Sequence, residues 1–406
     1  MIGVQASSKQ DIIDLHNKCY SLFRTNFDSA IIVAENAKEL ASDEAYTYLE
    51  AQSLYIKAYA FNLKEDQGKA FITYLESLQL LNQTNNTEAV ELKTDLILSI
   101  SSILMKHNAY SEAIQYLNEG IEIAESYNLR EKKLSFSYNK SLSLRHKNDL
   151  GSALKQIEYT LKLAIELDDE LRVLRSINQK GLILKDLKQY QQARETYSEI
   201  IQFDFEKQNP EKYIGQAWHN IAVTFLDENN LEKAKAAYLK AIISKESRNK
   251  AEDLFITYQD LAETLLNLNE INGAYSYAQK CDALYDQCDL DPDNYKFFNL
   301  MSEIAYRQNK PKLVRKYSQK YFDENEKFLT QQREILEVKD RYKMEVLTAG
   351  FFSELHADQN ISLLERVLWT VGILFTCILL ITRIYTYLRK RSLSIQIAQI
   401  KEEGSV

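Results

Sequence analysis

The sequence predicts an all-α protein: a superhelical solenoid of about eight helical hairpins with a period of about 40 residues, then a connecting helix and one transmembrane helix. Three observations predict it. The 406 residues include only 10 Gly and 3 Pro, too little punctuation for a many-stranded β fold or a glycine-rich nucleotide site. A pattern of small residues recurs along most of the chain at a nearly constant interval. Near its end the chain reads RVLWTVGILFTCILLITRIYTYLRKR (366–391), an oily stretch in a sequence that is otherwise 27% charged.

The repeat is clearest in FSYNKSLSLRHKNDLGSALKQI, SINQKGLILKDLKQYQQARETY, AWHNIAVTFLDENNLEKAKAAY and TYQDLAETLLNLNEINGAYSYA. Each holds a small residue (Ser141, Gly181, Ala222, Ala262), a large apolar residue three later (Leu144, Leu184, Phe225, Leu265), and then Ala153, Ala193, Ala234 or Ala274. Ala113, Ala70 and Ala30 continue the series toward the N-terminus and Val314 continues it forward. In a helical hairpin the small residue lets helix A approach its neighbour, and the alanine lets helix B lie close on helix A. Three residues before the alanine, Tyr110, Leu150, Tyr190, Leu231 and Ile271 are expected to open helix B. Five before it stand Asn108, Asn148, Asn229, Asn269 and Asn309, with Lys188 as the exception. Asn tolerates the left-handed backbone that ends a helix, so it is expected at the turn.

This pattern resembles the tetratricopeptide repeat (TPR), with Trp218 in the place of the helix A aromatic, although a TPR is typically about 34 residues and this unit is longer. The resemblance covers residues 10–325 and implies a TPR-like array with a groove lined by the A helices. By analogy with TPR peptide binders it places Tyr138, Asn139, Arg145, Asn178, Lys185, His219, Asn220 and Gln259 in that groove, where amides and cations hold an extended peptide or protein segment. A purely structural role, in which Asn139 and Asn220 bond only to the next helix, stays open beside it.

No catalytic chemistry is expected. The histidines His16, His107, His146, His219 and His356 stand apart in sequence, and no metal, P-loop, dinucleotide or nucleophile-elbow motif is present, so neither metal nor cofactor is assigned. FFSELHADQ, with His356, faintly resembles a sensor-kinase phosphoacceptor segment, but the oily stretch follows it directly. Cys19, Cys281, Cys288 and Cys377 read as packing thiols; the 281 and 288 pair would lie about 10 Å apart along a helix. Net charge is −8 with both signs interspersed, so no direct nucleic-acid binding is expected.

Val367 to Thr382 carries no charge, and Val367 to Leu388 as a helix would be about 33 Å long, enough to cross a bilayer. Trp369, Tyr385 and Tyr387 fit interfacial anchors, and Arg383, Arg389, Lys390 and Arg391 flank the C-terminal side. That charge asymmetry predicts a cytoplasmic C-terminus and an exported array. Val4-Gln5-Ala6 fits the end of a signal peptide that starts upstream of Met1. The expected order is therefore an N-terminal tail (1–9), the array (10–325), a connecting helix (326–365), the membrane helix (366–388) and a basic tail (389–406). Phe328, Ile335, Tyr342 and Ala349 at sevens suggest a weak coiled coil and a homodimer through 326–365.

This arrangement resembles bacterial membrane-anchored TPR sensor and regulator proteins without their kinase or helix-turn-helix output. The function it implies is a non-enzymatic single-pass membrane sensor or scaffold, contacting the bilayer through 367–388 and a protein or peptide through the groove. Two alternatives stay open: a tail-anchored adaptor with a cytosolic array, and a truncated relative of a TPR sensor kinase or transcriptional regulator.

Overall fold

A computed structural model describes residues 9–81, 87–206, 208–248, 251–287 and 292–330. Every regular element among them is a helix, and the helices alternate as A and B members of eight hairpins. In chain order these are α1 (Lys9–Leu22) with α2 (Phe27–Asp43), α3 (Thr47–Leu63) with α4 (Gln67–Leu81), α5 (Thr87–Lys106) with α6 (Tyr110–Ser126), and α7 (Arg130–His146) with α8 (Leu150–Glu166). Then follow α9 (Glu170–Asp186) with α10 (Tyr190–Ile201), α11 (Pro210–Asp227) with α12 (Leu231–Glu246), and α13 (Ala251–Asn267) with α14 (Ile271–Tyr285). A short 3₁₀ turn, Pro292–Lys296, leads into α15 (Phe297–Arg307), which pairs with α16, described over 311–330. Each helix packs chiefly on its neighbours in the chain, which is what makes the array a solenoid.

The repeat register holds in three dimensions. Ala30, Ala70, Ala113, Ala153, Ala193, Ala234 and Ala274 are all fully buried, and Val314, in the weaker last copy, is half-buried. Ser141, Ala222 and Ala262 are fully buried on the A helices. At Gly181 the reason for smallness is explicit: a Cβ there would fall 2.4 Å from the ring of Tyr197, the fully buried tyrosine of α10. Gly120 meets Phe136 in the same way, at 2.3 Å.

Helix B opens at Tyr110, Leu150, Tyr190, Leu231 and Ile271, as expected. The residues at the A-to-B turns are left-handed: Asn108, Asn148, Asn229, Asn269 and Asn309 have φ between 56° and 64°, and Lys188 has 60°. This conformation lets the next N–H reach back five residues, as Asp149 N does to Leu144 O at 2.9 Å and Glu270 N to Leu265 O at 2.8 Å. The following helix is then capped within one residue: the Asp149 side chain accepts from Ser152 N and that of Asn230 from Lys233 N, both at 3.3 Å. The same device recurs at three B-to-A joints, where Ala45, Asn128 and Asp168 have φ of 56°, 54° and 53°.

The prolines all sit at helix starts, Pro210 at the head of α11, Pro292 at the 3₁₀ turn and Pro311 at the head of α16. One joint departs from the pattern. Between α10 and α11 the chain runs through 202–209, and the buried carboxylate of Glu170 accepts the backbone N–H groups of Glu206 at 3.3 Å and Gln208 at 3.0 Å.

Among the described residues no helix is long and apolar enough to cross a membrane. The expected membrane helix with Trp369, Arg383, Tyr385, Tyr387, Arg389, Lys390 and Arg391 lies outside the described residues, as do His356, Cys288, Cys377, the connecting segment beyond 330 and the first eight residues. Cys19 and Cys281 are buried free thiols, each donating to a backbone carbonyl.

Candidate functional site

The A helices carry their polar residues in fixed rows relative to the small residue. Three positions before it stand Tyr138, Asn178, His219 and Gln259; two before it stand Asn139, Gln179, Asn220 and Asp260. The helical rise sets these rows side by side on successive hairpins, and two cross-links result. Asn220 Nδ2 donates to Asn178 Oδ1 at 2.7 Å, joining α11 to α9. His219 Nε2 lies 3.5 Å from Asp260 Oδ2, joining α11 to α13. The row ends at α15, where Leu300 takes the place two before the small residue, and the buried Oε1 of Gln259 has no described partner.

A second row, four residues after the small position, holds Arg145 and Lys185. Arg145 Nε donates to Asp186 Oδ2 at 2.6 Å; Lys185 Nζ lies 3.2 Å from Asp186 Oδ1 and 4.0 Å from Asp227 Oδ2. The run Arg145, Asp186, Lys185, Asp227 thus ties α7, α9 and α11 together. Each such half-exposed pair contributes about 0.5 kcal/mol, so the row sets the register of the A helices more than it stabilises them. Asn139 is half-buried, and its carbonyl accepts from Ser143 Oγ at 2.9 Å.

Of the eight groove residues expected from sequence, Tyr138 and Asn178 meet at one cavity. It measures about 200 Å³ and is walled by Tyr138 of α7, Leu174, Arg175 and Asn178 of α9, Ile200 of α10, and Lys212, Tyr213 and Gln216 of α11. The long connector before Pro210 allows it: the end of α10 and the start of α11 frame the opening. Among the described residues neither Arg175 nor Lys212 lies within ion-pair distance of a carboxylate, whereas Arg145, Lys185 and Arg194 of the same hairpins all do. Burial and the nearby guanidinium groups of Arg175 and Arg172 act on the Tyr138 hydroxyl in opposite senses, and burial prevails, so its pKa is raised.

His219 belongs to a different feature. Thr257 Oγ1 donates to the carbonyl of Asp253 at 3.1 Å and accepts from the buried ammonium of Lys245 at 2.7 Å. Its one proton committed, it faces His219 Nδ1 at 3.2 Å as an acceptor, which leaves Nε2 of a neutral imidazole to face Asp260. Burial, with Lys245 adding to it, lowers the His219 pKa to about 3, and burial raises that of Asp260 to about 7. Below about pH 7 a proton on Asp260 therefore faces the bare Nε2 of His219. Burial also lowers Lys245 to about 8, and its stem is accommodated because Gly215 has no Cβ, which would fall 2.8 Å from Lys245 Cγ. Lys245 and Thr257 are buried and His219 and Asp260 partly so, and the cluster reads as a packing joint between α11, α12 and α13.

Sequence reasoning missed Gln179 and Asp260, which the register of Asn139 and Asn220 points to, and it missed Arg175, Lys212, Tyr213 and Gln216. It gave no signal for the buried Lys245. Among the described residues no group of His, Cys, Asp and Glu side chains is arranged to hold a metal.

Two stretches, 174–207 and 215–245, match the family model described as tetratricopeptide repeat. These two stretches match tetratricopeptide repeats. The matched stretches are the hairpins α9 with α10 and α11 with α12, which frame the cavity. The helical array is similar to the apo form of RapI, at 13% identity and a TM-score of 0.51 over 68% of this chain and 98% of that one. It is also similar to the apo form of the quorum sensor NprR from B. thuringiensis (13% identity, TM-score 0.47, 84% of this chain and 99% of that one). A tetratricopeptide repeat protein from Parabacteroides merdae ATCC 43184 gives 16% identity and a TM-score of 0.47 over 74% and 99%. At 13% identity the likeness to RapI is one of fold. No curated protein matches the sequence.

Proposed function

We propose that this TPR array is a non-catalytic interaction scaffold that holds an acidic peptide segment of a partner protein across α7, α9 and α11. One observation carries the reading: Arg175 and Lys212, which have no carboxylate within ion-pair distance among the described residues, line a cavity walled by tyrosines and amides, whereas Arg145 and Arg194 nearby are held in inter-helix ion pairs. A guanidinium accepts a carboxylate in two parallel hydrogen bonds, the amides of Asn178 and Gln216 suit peptide backbone, and the rings of Tyr138 and Tyr213 suit an apolar neighbour. The test is to pan a peptide display library against the full chain and measure the enriched sequences by fluorescence anisotropy. Asp and Glu should be enriched, and Arg175→Glu with Lys212→Glu should weaken binding at least tenfold. Enriched peptides that bind the double variant unchanged would remove the reading.

Attachment to a membrane through 367–388, with the array on the outer side and a role in signalling across it, is part of the same proposal and is supported by sequence alone. Protease treatment of permeabilised cells, blotted for array and tail, tests it: digestion of the array with survival of the tail is expected, and protection of the array would favour a tail-anchored adaptor.

A further inference from the structure

We propose that the last hairpin, at the close of α15 and along the first three turns of α16, forms a docking surface for an acidic amphipathic helix of a partner protein. The inference is independent of the cavity between α7, α9 and α11.

The register of the array shows what is uncovered. Eight residues after the helix B alanine, Leu78 and Ile242 are 8% and 5% exposed, on B helices that the following A helix packs against; Phe322 in that place is 63% exposed. Eight residues before the same position, Leu266 is 8% exposed in the preceding hairpin, and its counterpart Tyr306 is 68% exposed. Between them runs a groove of about 480 Å³, lined by Tyr306, Lys310, Val314, Arg315, Ser318 and Phe322 among others. In every preceding hairpin an A helix lies against the face equivalent to this one.

Charge says which kind of helix fits. Arg307, Lys310, Lys312, Arg315, Lys316 and Lys320 follow one another with no acidic residue before Asp323. Of these only Arg307 has a described carboxylate partner, Glu303 at 2.9 Å; Lys310 instead lies 4.3 Å from the centre of the Tyr275 ring and Lys320 lies 4.3 Å from that of Phe298. In a chain of net charge −8 this stretch is locally basic, one of its six cations has a described carboxylate partner, and exposed Tyr306 and Phe322 lie beside it. Elsewhere the array sets helices of these two compositions side by side. Helix α13, AEDLFITYQDLAETLLN, carries Glu252, Asp253, Asp260 and Glu263 and no Lys or Arg. It packs on α12, LEKAKAAYLKAIISKE, which carries Lys233, Lys235, Lys240 and Lys245 against Glu232 and Glu246. An acidic A helix on a basic B helix is thus a pairing this fold already makes, and α16 presents a more basic B helix with no partner helix on that face among the described residues.

The α13 sequence is therefore the probe. The peptide AEDLFITYQDLAETLLN, acetylated, amidated and labelled with fluorescein, is titrated with the full-length chain and followed by anisotropy at low and at moderate salt. Saturable binding is expected, at least tenfold weaker at the higher salt. Lys310→Glu with Arg315→Glu, and separately Phe322→Ser, should each weaken it at least tenfold. Ile243→Ser, at a residue 72% exposed on α12, should leave it unchanged, and circular dichroism melts confirm that the variants stay folded. Absence of saturable binding, or binding indifferent to the α16 variants, overturns the proposal. It is also overturned if the peptide fails to bind while the same variants abolish either binding to vesicles one-third anionic in phospholipid or self-association in sedimentation, which would assign the surface to a lipid or to a second copy.

Discussion

The joint between α11 and α13 yields a prediction whose sign is opposite for its two partners. In the unfolded chain His219 and Asp260 titrate near 6.5 and 3.8, so between those values the pair holds one proton, on the histidine. In the folded array they titrate near 3 and 7, so over the same range the pair again holds one proton, now on the aspartate. The proton count does not change on folding, and the pair adds no pH dependence there. Asp260→Asn breaks the balance. His219 then protonates on unfolding below about pH 6.5, and stability relative to wild type falls by about 1.4 kcal/mol for each pH unit, or about 2 kcal/mol from pH 6.5 to 5. His219→Gln does the reverse: Asp260 keeps its raised pKa, so relative stability falls at a similar slope, about 1.4 kcal/mol per unit, as pH rises from about 4 to 7. Lys245, lowered to about 8, titrates above this window. His16 and His146, both lowered by burial, cancel in the difference from wild type. Urea unfolding at pH 5, 6 and 7, followed by Trp218 fluorescence in a Trp369→Phe background, measures both slopes. If both variants run parallel to wild type, the proton does not lie between these residues.

Three further outcomes follow from the repeat geometry. Lys188→Gly removes the one lysine held at positive φ in an A-to-B turn and should raise stability by about 1 kcal/mol in urea unfolding. Gly181→Ala places a methyl 2.4 Å from the buried Tyr197 ring and should lower stability by about 1 to 3 kcal/mol despite alanine's better helix propensity. Asn178→Ala combined with Gln216→Ala, both at the cavity, should weaken peptide binding while the circular dichroism melt stays cooperative; unchanged affinity would remove these residues from the recognition surface.

The parts of this fold visible in the sequence are those in which one residue answers to one local constraint. Ala153 or Ala234 must be small whatever surrounds it, and Asn148 or Asn269 must accept a left-handed backbone, so their spacing alone gave the hairpins and their turns. The joint at Ala45 uses the same backbone conformation with a residue that does not advertise it, and Asn128 and Asp168 stand outside the register set by the helix B alanines. The candidate site was less legible because it depends on pairing across repeats. Arg145 and Arg175 look alike in sequence; the position of Asp186 on the next A helix makes one a strut, while the other has no carboxylate partner among the described residues. Lys245 reads as an ordinary surface lysine until Gly215, 30 residues earlier, is seen to leave room for its stem.

The most direct measurement of the central claim is photo-crosslinking with p-benzoylphenylalanine placed at Gln216, beside Arg175 and Lys212, using the acidic peptides enriched against the full chain. The account predicts a peptide adduct at position 216 that is lost with Arg175→Glu and Lys212→Glu, and none from a probe at the exposed Ile165 on α8. Equal adducts at both positions, or an adduct at 216 that persists in the charge-reversed variant, would contradict it.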